Sequence, residues 1–434
     1  MQRISFGFLF LAALYVSGSA NATQDQPVLT SPAAISAVAA TSAATPALPA
    51  LVADNPAPHI ALLLPLKSKS PALKRYAEMV QQGFNAAASL QQGLPVRVYA
   101  SADEAKEIIT AFRQAHINGA MAAVGPLTRD GAGVLANYPG VTIPTLALNS
   151  FDTTLDQRKL YSFGLPTEQE ARQVAAIAAN VELRYATIIS SGTAVSKRLA
   201  AAFAEEWKAL GGKVTAEVVF KNDFSVLTKL PVEPWPNGKV PKHPQLYSPT
   251  GEKINPDRPL PDLIAPGNMV FLAVDHEKAR LMRTYLNPNL PVYGTSQLFI
   301  GNADKLANFD LNEIHFVDMP WLLQPDHPAV MAYQRKASAP EPDLDRLYAL
   351  GIDAYRLAHI LLTNKISSAL PLDGVTGKVS LRNQLFIREP IPAFFKQGLG
   401  LTSETLASLN EAKAAAKAAK EAATAESSLP SPSK

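Results

Sequence analysis

The sequence predicts an α/β fold of two lobes in series, each a mostly parallel sheet flanked by helices. Three observations carry that prediction. Strand-like and helix-like segments alternate from His59 onward, and the alternation restarts at Thr167. A late segment, Arg346–Leu357, reads as a helix apolar on nearly every side. Such a helix is sandwiched between other elements, so the chain must return late to a core built much earlier.

The elements follow in order. Ile60–Leu66 is a continuous apolar run, as in a strand covered on both faces. A helix follows, with Tyr76, Met79, Val80, Gly83, Phe84 and Ala87 on one face. Val96–Tyr99 is a second strand, Glu104–Ala115 a helix, Gly119–Val124 a third strand and Ile143–Leu148 a fourth, with a helix from Thr128 to Leu135 between the last two. Tyr161–Leu165 reads as a crossover to the second unit. There, helices at Thr167–Asn180, Val195–Leu210 and His276–Tyr285 alternate with strands at Ala186–Ser190, Val214–Phe220, Met269–Val274 and Val292–Tyr293. The lobes are expected at about 58–164 with 324–372, and at about 165–323, within a domain spanning 58–400.

The flanks differ in character. Arg3, an apolar run from Phe6 to Val16 and the small residues Ala20 and Ala22 have the layout of a secretory signal peptide, residues 1–22. That run is shorter than the roughly 20 apolar residues of a membrane span. No other segment reads as a span, so a soluble periplasmic protein is expected. Residues 23–57 are rich in Ala, Ser, Thr and Pro and read as a disordered linker. Residues 231–266 are dense in proline and read as an irregular insertion in the second lobe. Residues 401–434 form an Ala/Lys-rich tail, helix-prone but without a large apolar stripe.

Composition excludes several functions. There is no cysteine among the 434 residues, so disulfides, thiol nucleophiles, thiolate metal sites and a cysteine-linked lipid anchor are ruled out. The formal net charge is only +3 and the basic residues are scattered, which does not fit nucleic-acid binding. No Gly-x-Ser-x-Gly elbow or phosphate loop is present, and the seven histidines lack zinc-ligand spacing. Gly374–Lys378 has the wrong spacing for a phosphate loop and reads as a hairpin turn. His315 with Asp318 is conceivable as a catalytic pair, but packing is the favoured reading. The acid pairs Asp103-Glu104 and Glu205-Glu206 read as solvated faces. No cofactor, metal or catalytic residue is assigned.

Ligands of open α/β sheets sit beyond the carboxyl ends of strands, where helix N-termini offer free N–H groups. The candidates there are Leu66, Gly125, Pro126, Leu127, Thr128, Asn149 and Ser150 from the first lobe. Ser190, Ser191, Asp275, Thr295 and Ser296 are their counterparts from the second. Thr128, taken alone, reads first as a helix cap. In the late helix, Asp353 lies on one side with Arg346 and Arg356, and a buried carboxylate there needs a partner. Asp353, Arg356 and Trp321 are therefore expected to be structural, Asp353 fastening the helix to a neighbouring loop.

Two α/β lobes followed by a returning helix resemble the type I periplasmic binding protein fold, in which the chain crosses between lobes three times. The second and third crossings are expected near Val317–Leu323 and near Gly374. A narrower resemblance rests on Leu62-Leu-Leu-Pro-Leu66, Gly83-Phe-Asn-Ala-Ala87, Val124-Gly-Pro-Leu127, Pro144-Thr-Leu-Ala-Leu-Asn149, Phe163-Gly-Leu165, Asp318-Met-Pro-Trp-Leu-Leu323 and Leu347-Tyr-Ala-Leu-Gly-Ile-Asp-Ala-Tyr355. Together these look like the LppC/LpoA family, over roughly residues 59–400 and in its C-terminal domain only. The best-known members carry a lipidated cysteine and N-terminal helical repeats, whose place is taken here by the linker. The resemblance implies a non-enzymatic envelope protein that activates a peptidoglycan synthase, a class A penicillin-binding protein, as its protein partner.

The fold alone supports an alternative, a periplasmic receptor closing on a small amino-acid-like ligand between the lobes. Leu66 and Leu127 stand where such a site would welcome an Arg or a hydroxyl, which tilts the reading toward the regulator.

Overall fold

The structure, a computed structural model, describes residues 51–54, 56–153, 155–156, 158–235, 238–240, 264–335, 341–411 and 414. The expected signal peptide, most of the linker, residues 241–263 of the insertion and the end of the tail lie outside the described residues.

Strand β1 (His59–Leu64) is buried along its whole length. Its alternate side chains enter two separate cores: Ile60, Leu62 and Leu64 one, Ala61 and Leu63 the other. That is why the run is apolar without alternation. Around it come α1 (Pro71–Leu90), β2 (Val96–Ala100), α2 (Ala105–Ile117), β3 (Ala120–Val124), α3 (Arg129–Ala136), β4 (Thr145–Ala147) and β5 (Leu160–Ser162). The second lobe is built from α4 (Thr167–Asn180), β6 (Tyr185–Ser190), α5 (Ala194–Ala209), β7 (Lys213–Val219), β8 (Asn268–Ala273), α6 (His276–Arg283), β9 (Val292–Gly294), α7 (Lys305–Phe309) and β10 (Ile314–Asp318). The chain then runs through α8 (Pro320–Leu323), α9 (Pro328–Met331), α10 (Pro342–Leu362) and α11 (Ile366–Ala369) into β11 (Leu372–Gly374), β12 (Gly377–Arg382) and β13 (Leu385–Glu389). It ends the sheets with β14 (Ile391–Lys396) and β15 (Leu399–Leu401).

The sheets are ordered β11-β12-β13-β5-β4-β3-β1-β2 and β15-β14-β10-β9-β8-β6-β7. The first contains six strands paired in parallel, β13 joining β5, and the second five; both follow the doubly wound order and are extended at one edge by antiparallel strands. The switch points of strand order fall between β1 and β3 and between β6 and β8.

Two crossings differ from expectation. Tyr161 pairs within β5, so the first crossing begins only after Ser162. The third lies at Pro390, between β13 of the first sheet and β14 of the second, not at Gly374. Gly374 merely turns β11 into β12, and the first sheet runs on to Glu389, past the expected limit of 372. Proline has no N–H to continue a ladder, which suits a residue between two sheets.

Helix α10 is buried on nearly all sides and packs on α1, in the core that holds Ile60, Leu62 and Leu64. The buried face of α1 is Ala77, Val80, Gly83, Phe84 and Ala87. Tyr76, expected on that face, is exposed: small residues let α10 approach closely, and the face centres on them. Phe84 meets Tyr355 edge to face with ring centroids 5.2 Å apart.

Candidate functional site

The strand-end loops of the first lobe use most of their polar groups internally. Gly125 has φ +106°, and a Cβ there would overlap the Leu63 carbonyl, so only glycine fits. Thr128 caps α3, its Oγ1 accepting from Gly131 N at 3.1 Å and donating to Asp103 Oδ1 at 2.7 Å. Asp103 is thus not a solvated face; burial pushes its carboxyl up, opposed by the Thr128 hydroxyl. Asn149 donates to Leu127 O at 3.1 Å and accepts from Ser150 N at 3.0 Å. Leu66 is half-buried against the first-lobe core.

The second lobe does the same. Ser191 N donates to Ser196 Oγ at 2.7 Å, and that hydroxyl donates to Ala273 O at 2.5 Å, bridging the switch point between β6 and β8. Ser190 is buried at the end of β6. Asp275 caps α6, accepting from Lys278 N at 2.9 Å; burial would raise its carboxyl, but Lys278 holds it below the usual range. Thr295 is fully buried, and its hydroxyl has no hydrogen-bond partner among the described residues. Ser296 gives both its N–H and its hydroxyl to Glu170 Oε2, at 3.0 and 2.7 Å.

That last contact opens a buried network that the sequence reading did not assemble. Glu170 of α4 pairs with Arg388 of β13, both almost wholly buried. Arg346 of α10 donates to Asp318 Oδ2 at 2.5 Å, to Ser296 O at 3.0 Å and to Phe299 O at 2.8 Å. Burial alone would lower the Arg346 guanidinium, but the Asp318 charge and hydrogen bond raise it above its ordinary value. Arg346 is therefore Asp318's partner, not Asp353's. His315 takes no part: it stacks on Tyr293 with centroids 4.7 Å apart. One signal was available for Asp318, a lone acid in an apolar run, which demands a buried partner. Glu170 and Arg388 gave no such signal.

Asp353, fully buried, accepts from Val375 N at 3.2 Å, Thr376 N at 2.8 Å, Thr376 Oγ1 at 2.7 Å and Arg356 at 3.0 Å. The turn at Gly374–Lys378 is thus wrapped around a carboxylate. Trp321 is buried, meets Tyr348 at a tilt with ring centroids 5.3 Å apart, and has the Arg335 guanidinium 4.8 Å from its ring.

The candidates fall in more than one place. Leu127, Thr128 and Asn149 line a pocket of about 420 Å³ with Tyr76, Leu347 and Leu350. Ser150 lines another, of about 570 Å³, between the lobes, with Glu168, Arg172, Arg198, Glu205 and Ile387. Ser190, Ser191, Asp275, Thr295 and Ser296 line neither. In the second pocket Arg172 pairs with Glu205 at 2.8 Å and Arg198 with Glu168 at 2.6 Å. Burial would raise Glu168, but the Arg198 hydrogen bond keeps it below its ordinary value. Among the described residues no group of His, Asp and Glu is arranged to hold a metal ion, and no helix is long and apolar enough to cross a membrane.

Comparison with known proteins agrees with this architecture. A "putative branched-chain amino acid ABC transporter" from Chromobacterium violaceum is 34% identical, with a TM-score of 0.61, over 78% of this chain and all of that one. The C-domain of LpoA from Haemophilus influenzae, described as "a regulator of PBP1A", shares the fold at a TM-score of 0.61 and 22% identity, over 79% of this chain and 99% of that one. "Penicillin-binding protein activator LpoA" of Pantoea ananatis is 26% identical over 66% of this chain and 44% of its own length. The chain spans about half the length of the curated relatives it matches. The model of the family described as "LppC putative lipoprotein" matches residues 7–394, nearly the whole chain. With the fold, the returning helix and that match in agreement, the chain belongs to the LppC family.

Proposed function

We propose that this chain is a non-enzymatic periplasmic protein that activates a peptidoglycan synthase, a class A penicillin-binding protein. The observation that carries the reading is the family match, since its curated relatives bear the name penicillin-binding protein activator. The second-lobe loops support it from another side. The Ser296 N–H and hydroxyl, which an amino-acid receptor would keep free for solute, are spent on Glu170, and the Ser191 N–H is spent on Ser196. Reconstituted glycan polymerisation by the class A synthase of the same organism tests the reading. Addition of this protein is expected to raise the polymerisation rate, and the synthase is expected to retain it in a pull-down. No stimulation together with no retention would overturn the proposal.

A second reading, a receptor for a small amino-acid-like ligand, is favoured by the 34% identity to the Chromobacterium protein and by the two pockets, one in the first lobe and one between the lobes. It predicts thermal stabilisation by the ligand, growing as RT ln(1 + [L]/Kd). A screen of amino acids without any shift argues against it.

A further inference from the structure

We propose that a buried ionic clamp across the three crossings holds the two lobes in a single relative arrangement, so the protein does not close on a ligand by hinge motion. Hinge closure needs crossing segments that absorb large φ/ψ changes while few fixed contacts oppose them. Here each crossing carries a buried charge that is already engaged. The first leads into α4 and Glu170, the second leaves β10 at Asp318, and the third leaves β13 just after Arg388.

The direction of the contacts matters. Both arginines come from first-lobe elements and reach into the second. Arg346, on α10, binds Asp318 at the end of β10 and the carbonyls of Ser296 and Phe299. Arg388, on the first sheet, binds Glu170 of α4, and Gln173 of the same helix donates to the Arg388 carbonyl at 2.6 Å. Ser296 joins the two halves, giving its N–H and hydroxyl to Glu170 and its carbonyl to Arg346.

The clamp extends into the first lobe. Arg388 Nη1 lies 3.5 Å from the Thr376 carbonyl, and Thr376 binds Asp353 of α10. Rotation of one lobe against the other would take Asp318 and the carbonyls of Ser296 and Phe299 from Arg346, leaving it only the exposed Asp343 of its own helix, and would take Glu170 from Arg388, leaving it only the Thr376 carbonyl. An uncompensated buried charge of that kind is strongly disfavoured, so a rotated arrangement is populated below about one per cent. Whatever the protein binds then meets a preformed surface rather than a closing pair of jaws.

The absence of cysteine makes the test direct. Lys106→Cys on α2 and Lys208→Cys on α5, both exposed, place one nitroxide label on each lobe. Pulsed electron–electron double resonance on the otherwise unaltered chain is expected to give one narrow distance distribution, unchanged by a mixture of free amino acids. Adding Arg346→Gln or Arg388→Leu is expected to broaden it, with the width roughly doubled, or to add a second distance. Where circular dichroism finds either variant unfolded, Asp318→Asn, which keeps the side-chain shape, replaces it. Two distances in the parent protein, or a distribution that shifts with amino acids, overturns the clamp whatever the variants do. A single narrow distance retained by the folded variants overturns it too. Neither outcome bears on stimulation of a synthase, which is measured separately.

Discussion

Gly83 and Gly351 are reciprocal: a Cβ on Gly83 would overlap the carbonyl oxygen of Tyr348, and a Cβ on Gly351 that of Val80. Each glycine thus meets the carbonyl three residues before the other, and α1 and α10 touch backbone to backbone. Gly83→Ala or Gly351→Ala must therefore push two helices apart within the main first-lobe core. Helix propensity favours alanine by about 1 kcal/mol, but backbone atoms cannot step aside as a flexible side chain does. Each variant is expected to lose at least about 3 kcal/mol of stability, read from the urea midpoint. A variant as stable as the parent would mean that the close crossing is not needed.

Asp353 fastens α10 to the β11–β12 turn through two backbone amides, a hydroxyl and Arg356. Asp353→Ala leaves those donors and a partly buried guanidinium without their acceptor. The expected cost is about 3–5 kcal/mol. Asp353→Asn keeps one acceptor oxygen and should cost less. Hydrogen exchange locates the effect: the Val375 and Thr376 amides should lose protection more than those of β1. Equal loss everywhere would point to global destabilisation without a specific fastening.

The parts of this architecture that could be read from sequence are those whose signals are local. Ile60–Leu64 announces a strand covered on both faces because both of its faces meet a core. The late helix announces its sandwiching through two apolar stripes, and Asp353 its need of a partner. The clamp is different in kind. Glu170 and Arg388 are 218 residues apart, and each sits among residues of ordinary pattern. Their pairing follows from the third crossing, which was expected at Gly374 and lies at Pro390. Ser296 was legible as a strand-end hydroxyl, but only Glu170, 126 residues away, decides that it faces a helix of its own lobe rather than a ligand.

Thr128 illustrates the same choice between cap and ligand site. Its hydroxyl accepts from Gly131 N and donates to Asp103, leaving little for a solute. Thr128→Ala should destabilise the protein by about 1 kcal/mol, and Thr128→Ser should be nearly neutral. Thermal unfolding with and without added amino acids separates the roles. A capping role gives the same loss in both conditions. A loss appearing only with amino acids present would make Thr128 a ligand contact instead.

His315, half-buried on β10, stacks on Tyr293 and lies 5.9 Å from Phe394. Burial lowers its pKa below the ordinary value, with Glu313 opposing weakly. His59 and His276 are lowered for the same reason. A lowered histidine is neutral in the fold while the unfolded chain takes up its proton near pH 6.5. Below that pH the unfolded state binds more protons, so stability falls as pH drops, until the folded pKa is reached and the loss stops growing. Each such histidine can contribute a slope of up to about 1.4 kcal/mol per pH unit. His315→Phe keeps the stack on Tyr293 and removes the titration. Its stability should therefore decline less between pH 7.5 and 5.5 than that of the parent chain, by urea unfolding at each pH. Parallel declines for the two proteins would show that His315 titrates alike in the folded and unfolded states.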